Sequence, residues 1–512
     1  MMASTALFLL ILVPLIGAIF ATMMKSVVIV RSWALLVSFL CFACAIVAGV
    51  SLEPGQAITW GVVGNNPISI PEIGFGFRLA CDGISLWMIL LATLVTPLAV
   101  LSVDDSINRQ ENAHWYYAWM LLLLGGLTGT FLSADALLFY FFFELTLIPC
   151  LFLIGIWGGV ERRQAAGKFF IYTFSGSVFL LVSIIYLASR AGSFQISTMT
   201  QTAYTSQELF WCGMGLLIGF LIKTPVFPLH TWQPLAYAEA PVAAGAVIAA
   251  VLGKLGTYGL LRLTVPIAFT GVETNTVLIH VVVVLCLIGI VYGGLIAWVQ
   301  KDMIRLVAYS SLSHLGLLVL AIFAGSVLSL QGAVVYMIAH GLSTAGLFLV
   351  IGMIASRTGT RQFEDVSGLF VRMPVLSTLM VIFVMASIGL PITSGFVGEF
   401  LSLQGVMNRF GLGITILAAT GMVLGAIYML HMVARIGFGP LKLPEGVVVK
   451  DGSFREVIVL APVVVAIFLV GIVPTPILDS FKPDVSRIVT QTPKVIPQPV
   501  LTQEKDSGFF GQ

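Results

Sequence analysis

The feature that most constrains this chain is an apolar run of about 20 residues that recurs from one end to the other. Such runs lie near residues 5–23, 32–51, 82–103, 114–133, 136–156, 166–188, 208–230, 242–263, 276–298, 303–324, 332–355, 373–409 (interrupted), 412–436 and 456–477. At ~1.5 Å rise per residue, a helix of that length crosses ~30 Å of hydrocarbon. Backbone amides find no water at that depth, and a helix satisfies them internally. The expected fold class is therefore an all-α polytopic membrane protein with about 14 transmembrane helices. No long polar stretch is left for a second domain, so residues 1–512 read as a single integral membrane domain. The first run lacks a basic leader and a small-residue cleavage site, and it reads as a membrane helix rather than a signal peptide.

Charge narrows the function classes. Only 9% of residues are charged and the formal net charge is +2, too little cationic surface to hold nucleic acid. The six cysteines lie in or beside apolar runs. Cys41 and Cys44 have C-x-x-C spacing but sit within a span, where nothing stabilises a thiolate. Gly74 and Gly76 lack the third glycine of a dinucleotide loop. No redox cofactor or metal is expected on this chain.

Lys and Arg are distributed unevenly between the two sides. Alternate loops from the first to the thirteenth hold fifteen, the opposite loops hold Arg78, Arg190, Arg262 and Arg409, and the tail holds Lys482, Arg487, Lys494 and Lys505. Loops rich in cations stay cytoplasmic, so both termini should face outward. Two lysines remain, Lys223 and Lys254, both inside expected spans.

An ionisable group at mid-span costs roughly 2.5–3.5 kcal/mol on insertion scales and is by default a functional candidate. Six such groups occur: Glu144, Lys223, Lys254, His314, His340 and Glu399. Glu144 and Lys223 alone could be a buried ion pair that fixes helix register. Six titratable groups spread over spans 5, 7, 8, 10, 11 and 12 point instead to a continuous polar path. Burial disfavours the charged form of such a group and a neighbouring opposite charge favours it, so its protonation can be switched.

Breaks accompany the charges. Pro225 and Pro228 follow Lys223, while Gly389, Pro391 and Gly395 precede Glu399, so spans 7 and 12 should be broken. Broken helices are tolerated in a membrane where they are buried in protein or line a wet cavity. Glu144 and His314 are 170 residues apart and Lys223 and Glu399 are 176 apart, a spacing that suggests two repeats, 114–263 and 276–436. An odd number of spans per repeat inverts the second copy. Asp82, Asp135 and Asp302 read as helix-start carboxylates. His230 either lines the path or caps the break, His280 and His431 lie near span ends, and the run Phe139, Phe141, Phe142 and Phe143 reads as lipid-facing or packing mass.

The segments FFFELTLIPCLFLIGIWGG, KFFIYTFSGS, IKTPVFPLHTWQPLAYAEAPVAAG, LGKLGTYGLLR, VAYSSLSHLG, IAHGLSTAGLF and LPITSGFVGEF together resemble the antiporter-like, proton-pumping subunits of respiratory complex I. The likeness is strongest to the M-type line, to which mitochondrial NADH dehydrogenase subunit 4 corresponds. It implies two inverted five-helix repeats, helices 4–8 and 9–13, with helices 7 and 12 broken. It implies that Glu144 pairs with Lys223 and that a proton then passes along Lys254, His314 and His340 and leaves through Glu399. It places NADH, FMN, iron–sulfur clusters and quinone in partner membrane-arm and peripheral-arm subunits, with protons as the cargo and the bacterial inner membrane as the setting. Three positions depart from the family pattern: Gln233-Pro234-Leu235-Ala236-Tyr237 lacks an acid and a histidine, Ile304 replaces a basic residue, and Ile392 replaces a glycine. Multisubunit cation/proton antiporters and membrane-bound hydrogenases share these motifs, and a free-standing secondary transporter ranks last.

Overall fold

A computed structural model describes residues 2–62, 68–269, 275–491 and 494–496; Lys505, counted above with the tail cations, lies outside them. Among the described residues, twelve helices are long and apolar enough to cross a membrane. They fall into two environments. Val242–Phe269, Met303–Ala324 and Val327–Thr358 are 94–100% buried inside the protein, whereas Arg162–Ala191, Thr276–Trp298, Leu412–Gly437 and Phe454–Ile472 are 28–39% buried. The first set is enclosed by other helices and the second turns most of its apolar surface outward, as a lipid-facing ring does. Lys254, His314 and His340 lie on the enclosed set.

The two remaining expected spans are interrupted. One is Ser206–Lys223, followed by a non-helical stretch and then the short helix Gln233–Glu239. The other is Pro374–Ser387 followed by Ser394–Phe410. The fifth span is also interrupted, between Ala136–Leu145 and Leu147–Trp157, which the sequence reading did not anticipate. Pro149 has no N–H to give the carbonyl four residues back, and the neighbouring bonds Thr146 N–H to Phe142 O and Cys150 N–H to Thr146 O are stretched to 3.3 and 3.4 Å.

Asp82, Asp135 and Asp302 start helices as expected: their side chains accept from first-turn amides at Ser85, at Leu137 and Leu138, and at Ile304 and Arg305. Each is also paired with an arginine, respectively Arg262, Arg78 (2.9 Å) and Arg361 (3.3 Å). Of the phenylalanine run, Phe139, Phe142 and Phe143 are buried and Phe141 is exposed.

The chain beyond the last span differs from the expectation of a plain tail. Phe454–Ile472 ends at Val473, and Pro474–Thr490 forms a second helix that buries Ile477, Phe481, Asp484, Val485 and Ile488 on one face. It docks on the start of Gly83–Leu101, where a Cβ on Gly83 would lie 2.4 Å from the Ser480 carbonyl oxygen. Trp87 Nε1 donates to Ser480 Oγ at 2.8 Å across the same joint.

Short strands connect one end of the bundle. Ile58–Trp60 pairs antiparallel with Leu79–Cys81, and Ser69–Ile70 with Phe75–Gly76.

Candidate functional site

Glu144, Lys223, Lys254 and Glu399 sit near departures from regular helix, whereas His314 and His340 lie within the uninterrupted helices Met303–Ala324 and Val327–Thr358. Helix Ser206–Lys223 ends at Lys223, and the indole N–H of Trp232 returns to the Ile222 carbonyl oxygen at 3.0 Å, satisfying an acceptor the break releases. Lys223 is buried, its Nζ donates to Thr146 Oγ1 at 3.2 Å, and it lies 4.7 Å from the Phe143 ring centroid. Thr146 is the residue at the fifth-span interruption. Half-buried Glu144 stands two residues away, and the two charged groups are not in ion-pair contact. The expected direct Glu144–Lys223 pair is therefore corrected to an open one, in which a neutral threonine hydroxyl holds the lysine and Glu144 faces it without touching.

Lys254 lies on Gly253–Gly259, immediately after a π-helical turn, Ile248–Leu252. A π turn shifts the backbone bonding pattern and commonly marks a functional position. Here the Ala249 carbonyl oxygen accepts from Lys254 Nζ at 3.2 Å, and the same Nζ lies 2.7 Å from His340 Nδ1. The two lysine neighbourhoods meet at Thr224 and Gly256. A Cβ on Gly256 would lie 2.1 Å from Thr224 Oγ1, so glycine is what lets the helix of Lys254 touch the broken end beside Lys223. The Thr224 hydroxyl is buried there without a hydrogen-bond partner.

From Lys254 the contacts run His340, His314, Tyr336, Glu399. The two imidazole centroids are 5.6 Å apart, and the Nε2 atom of each ring has no protein partner. No hydrogen bond joins the two rings directly. His314 Nδ1 is hydrogen-bonded to the Tyr336 hydroxyl, which donates to Glu399 Oε1 at 2.9 Å. Glu399 Oε2 is buried and unpartnered against Gly389, whose φ is +70° and whose Cβ, if present, would lie 2.1 Å from that oxygen. The twelfth-span break thus makes room for the carboxylate.

The order differs from the expected one, with His340 before His314, because His340 and not His314 reaches Lys254. Tyr336 was missed. Its signal was in the sequence: it stands four residues before His340, one turn away on the same helical face. Thr146 was missed too, for it carries no charge. His230 lies in the seventh-span break between the rings of Phe227 (5.6 Å) and Tyr292 (5.4 Å), with Nδ1 unpartnered and no bond to either lysine. His280 and His431 are exposed.

Relay chemistry fits this arrangement better than binding of an organic solute. Its groups are proton-titratable, Lys254 and His340 are in contact, as are His314, Tyr336 and Glu399, and all six except Glu144 are enclosed by protein.

Known proteins agree with this reading of the fold. The profile of the family described as NADH:quinone oxidoreductase/Mrp antiporter, TM, matches residues 133–427, more than half of the chain. NADH-quinone oxidoreductase subunit M of Rhodobacter capsulatus is 38% identical over 430 residues, covering 81% of this chain and 83% of that protein. The Escherichia coli subunit M is 38% identical over 423 residues, covering 80% and 82%. Among solved structures, a chain of respiratory complex I from Thermus thermophilus with bound NADH superposes with a TM-score of 0.85 at 28% identity, covering 95% and 99%. A chain of the Mrp complex from Dietzia gives 0.86 at 19% identity, a likeness of fold alone, covering 96% and 98%. By sequence coverage and by fold, the chain belongs to the family of NADH-quinone oxidoreductase subunit M, the antiporter-like membrane-arm subunits of complex I.

Proposed function

We propose that Glu144, Lys223, Lys254, His340, His314 and Glu399, with Thr146 and Tyr336 as neutral links, form the proton path of this subunit. The observation that carries the proposal is the succession of buried polar side chains from Lys254 to Glu399, with contacts of 2.7 and 2.9 Å at its two ends and the neighbouring imidazoles of His340 and His314 between them. NADH oxidation and quinone reduction take place in partner subunits that hold FMN and iron–sulfur clusters. Electrostatic change arriving through the membrane arm alters the Glu144–Lys223 interaction. Because that pair is open at rest, closing it stabilises the charged lysine and opening it releases a proton toward Lys254. Glu399 is the outlet of this route.

Two features favour the repeat organisation, 114–263 and 276–436. Asp135 and Asp302 each cap a helix and each form an isolated backbone bridge to a glutamine, Gln195 and Gln362, at the same sequence separation. Each repeat also carries a span whose break lies near a buried ionisable residue, Lys223 in the first and Glu399 in the second. With cation-rich loops cytoplasmic, both termini face outward from the bacterial inner membrane.

The test is coupled proton pumping in the assembled complex. Glu144→Ala and Lys223→Ala should each abolish most pumping linked to NADH oxidation while the complex still assembles. Normal pumping in either variant overturns the assignment.

A further inference from the structure

The helix of Lys254 continues toward the end of the bundle where Asp82 starts its own helix. Tyr258 follows Lys254 by one turn on the same face, and Arg262 follows Tyr258 by about another. Tyr258 and Ser85 share a hydrogen bond of 2.7 Å between their hydroxyls, and the Tyr258 hydroxyl also donates to the Phe131 carbonyl oxygen at 2.9 Å. Arg262 donates to Ser85 Oγ at 3.1 Å and is paired with Asp82. Asp484, delivered by the helix after the last span, accepts from the Gly83 amide at 3.0 Å. These groups line a cavity of about 240 Å³, together with Thr200. Two buried atoms in this cluster, Arg262 Nε and Asp484 Oδ1, have no hydrogen-bond partner, and the nearest cation to Asp484 Oδ1, Arg487, is 3.8 Å away and half exposed. Polar walls with unpartnered donors and acceptors and room for several waters are what a wet cavity requires. Such a cluster is more than an ion pair pinning two helices, which would have been sealed and fully satisfied.

We infer that Lys254 has a second proton connection, running one turn along its own helix to Tyr258, through the Tyr258–Ser85 hydroxyl pair, and into the cavity walled by Asp82, Arg262 and Asp484. The inference rests on the proton path proposed above and adds a branch to it. In the resting geometry Lys254 Nζ is held by Ala249 and His340, turned away from this branch. Tyr258 stands one turn on in the other direction, so the ammonium approaches it only by leaving both of these partners and swinging its side chain toward the far end of the helix. The Tyr258 hydroxyl hydrogen first turns from the Phe131 carbonyl to Ser85 Oγ and the Ser85 hydrogen turns to cavity water; the Tyr258 oxygen then takes one proton from Lys254 while its own passes to Ser85 Oγ, and the Ser85 proton passes to that water. Lys254 is left as a neutral amine, the cavity gains one proton, and both hydroxyls end as they began. The rings of Phe131 (5.1 Å) and Phe139 (6.4 Å) pack on Tyr258 and restrict the passage to its hydroxyl.

Tyr258→Phe keeps that ring packing and removes only the hydroxyl, while Ser85→Ala removes its partner. In the complete complex reconstituted in liposomes, both should lower the protons moved per NADH oxidised, with NADH:quinone turnover unchanged and the complex still assembled. Thr200→Cys, on the cavity wall, should react in intact spheroplasts with a membrane-impermeant thiol reagent. Wild-type stoichiometry in both hydroxyl variants, alongside lost pumping in Lys254→Ala, overturns the branch and leaves the main path standing. Normal pumping in Lys254→Ala overturns both. An unreactive Thr200→Cys in a folded complex removes the cavity's access to water and overturns the branch by itself.

Discussion

Tyr336→Phe tests the relay at its narrowest point. The tyrosine hydroxyl is the one group that joins His314 to Glu399, and it supplies the one hydrogen bond on Glu399 among the described residues, at 2.9 Å. Phenylalanine keeps the ring and leaves His314 Nδ1 and Glu399 Oε1 3.7 Å apart, too far for a hydrogen bond and with no hydroxyl between them. A hydrogen bond to a charged group contributes about 1.5–3 kcal/mol. If that full amount is present when the proton crosses to Glu399 and absent in the variant, transfer slows by about 10- to 150-fold. The assay is proton uptake into proteoliposomes alongside NADH oxidation by the same complex. Loss of pumping should exceed loss of redox turnover, and Glu399→Gln should add little to it, because both changes interrupt one link. Wild-type pumping in Tyr336→Phe, with pumping lost in His314→Ala, would refute the hydroxyl as a carrier. It would mean that His314 and Glu399 approach one another directly or through water during turnover.

Three further outcomes follow from local geometry. Gly389→Ala combines a φ of +70° with a Cβ 2.1 Å from Glu399 Oε2, so it should cost at least the 1–2 kcal/mol of a left-handed residue and displace the carboxylate, visible as lower thermal stability and lower pumping together. Ile392→Gly should act oppositely on stability: Ile392 has a φ of +76° in the same break and is exposed, so glycine should relieve about 1–2 kcal/mol of backbone strain, read as a higher unfolding temperature of the purified complex. Asp484 is pushed up to about 6, first by burial and then by the charge of Asp82, which outweigh Arg262, the Gly83 amide and Arg487. An acid held above its ordinary range binds its proton more tightly when docked, so docking of Pro474–Thr490 should weaken as pH rises from about 4 through 6. Hydrogen exchange of that helix, corrected for intrinsic rates, should show the trend, and Asp484→Asn should flatten it.

Much of the site was legible because charge in an apolar run is conspicuous. Glu144, Lys223, Lys254, His314, His340 and Glu399 could be picked out one by one, and the prolines and glycines beside Lys223 and Glu399 announced two of the breaks. What the sequence hid follows from the same logic. Thr146 and Tyr336 are polar without being charged, and threonine and tyrosine are common in membrane helices, so neither stands out from its run. The π turn before Lys254 has no residue signature in IAAVL. The helix Pro474–Thr490 was passed over because its polar face looked like a tail, although its buried positions recur at helical spacing.

The correction at Glu144 and Lys223 bears most on how the subunit works. A closed buried ion pair is a stable arrangement, and breaking one by removing a partner costs about 3–5 kcal/mol, which any coupling signal would have to supply. Here Lys223 is held by one neutral hydroxyl rather than by a carboxylate, and the helix that carries Glu144 is interrupted next to the acid by stretched backbone bonds at Thr146 and Cys150. Motion of Glu144 toward or away from Lys223 therefore needs only a small bend at an existing joint rather than rupture of a pair. Thr146 sits at that joint and holds the lysine, so the same bend that moves the acid also loosens the ammonium. Thr146→Val separates the two roles: it keeps the shape and removes the acceptor. It should leave helix packing intact and let Lys223 fall back on Glu144 as its sole polar partner. Pumping should then drop while NADH:quinone turnover persists, and unchanged pumping would show that the lysine is held by something other than this hydroxyl.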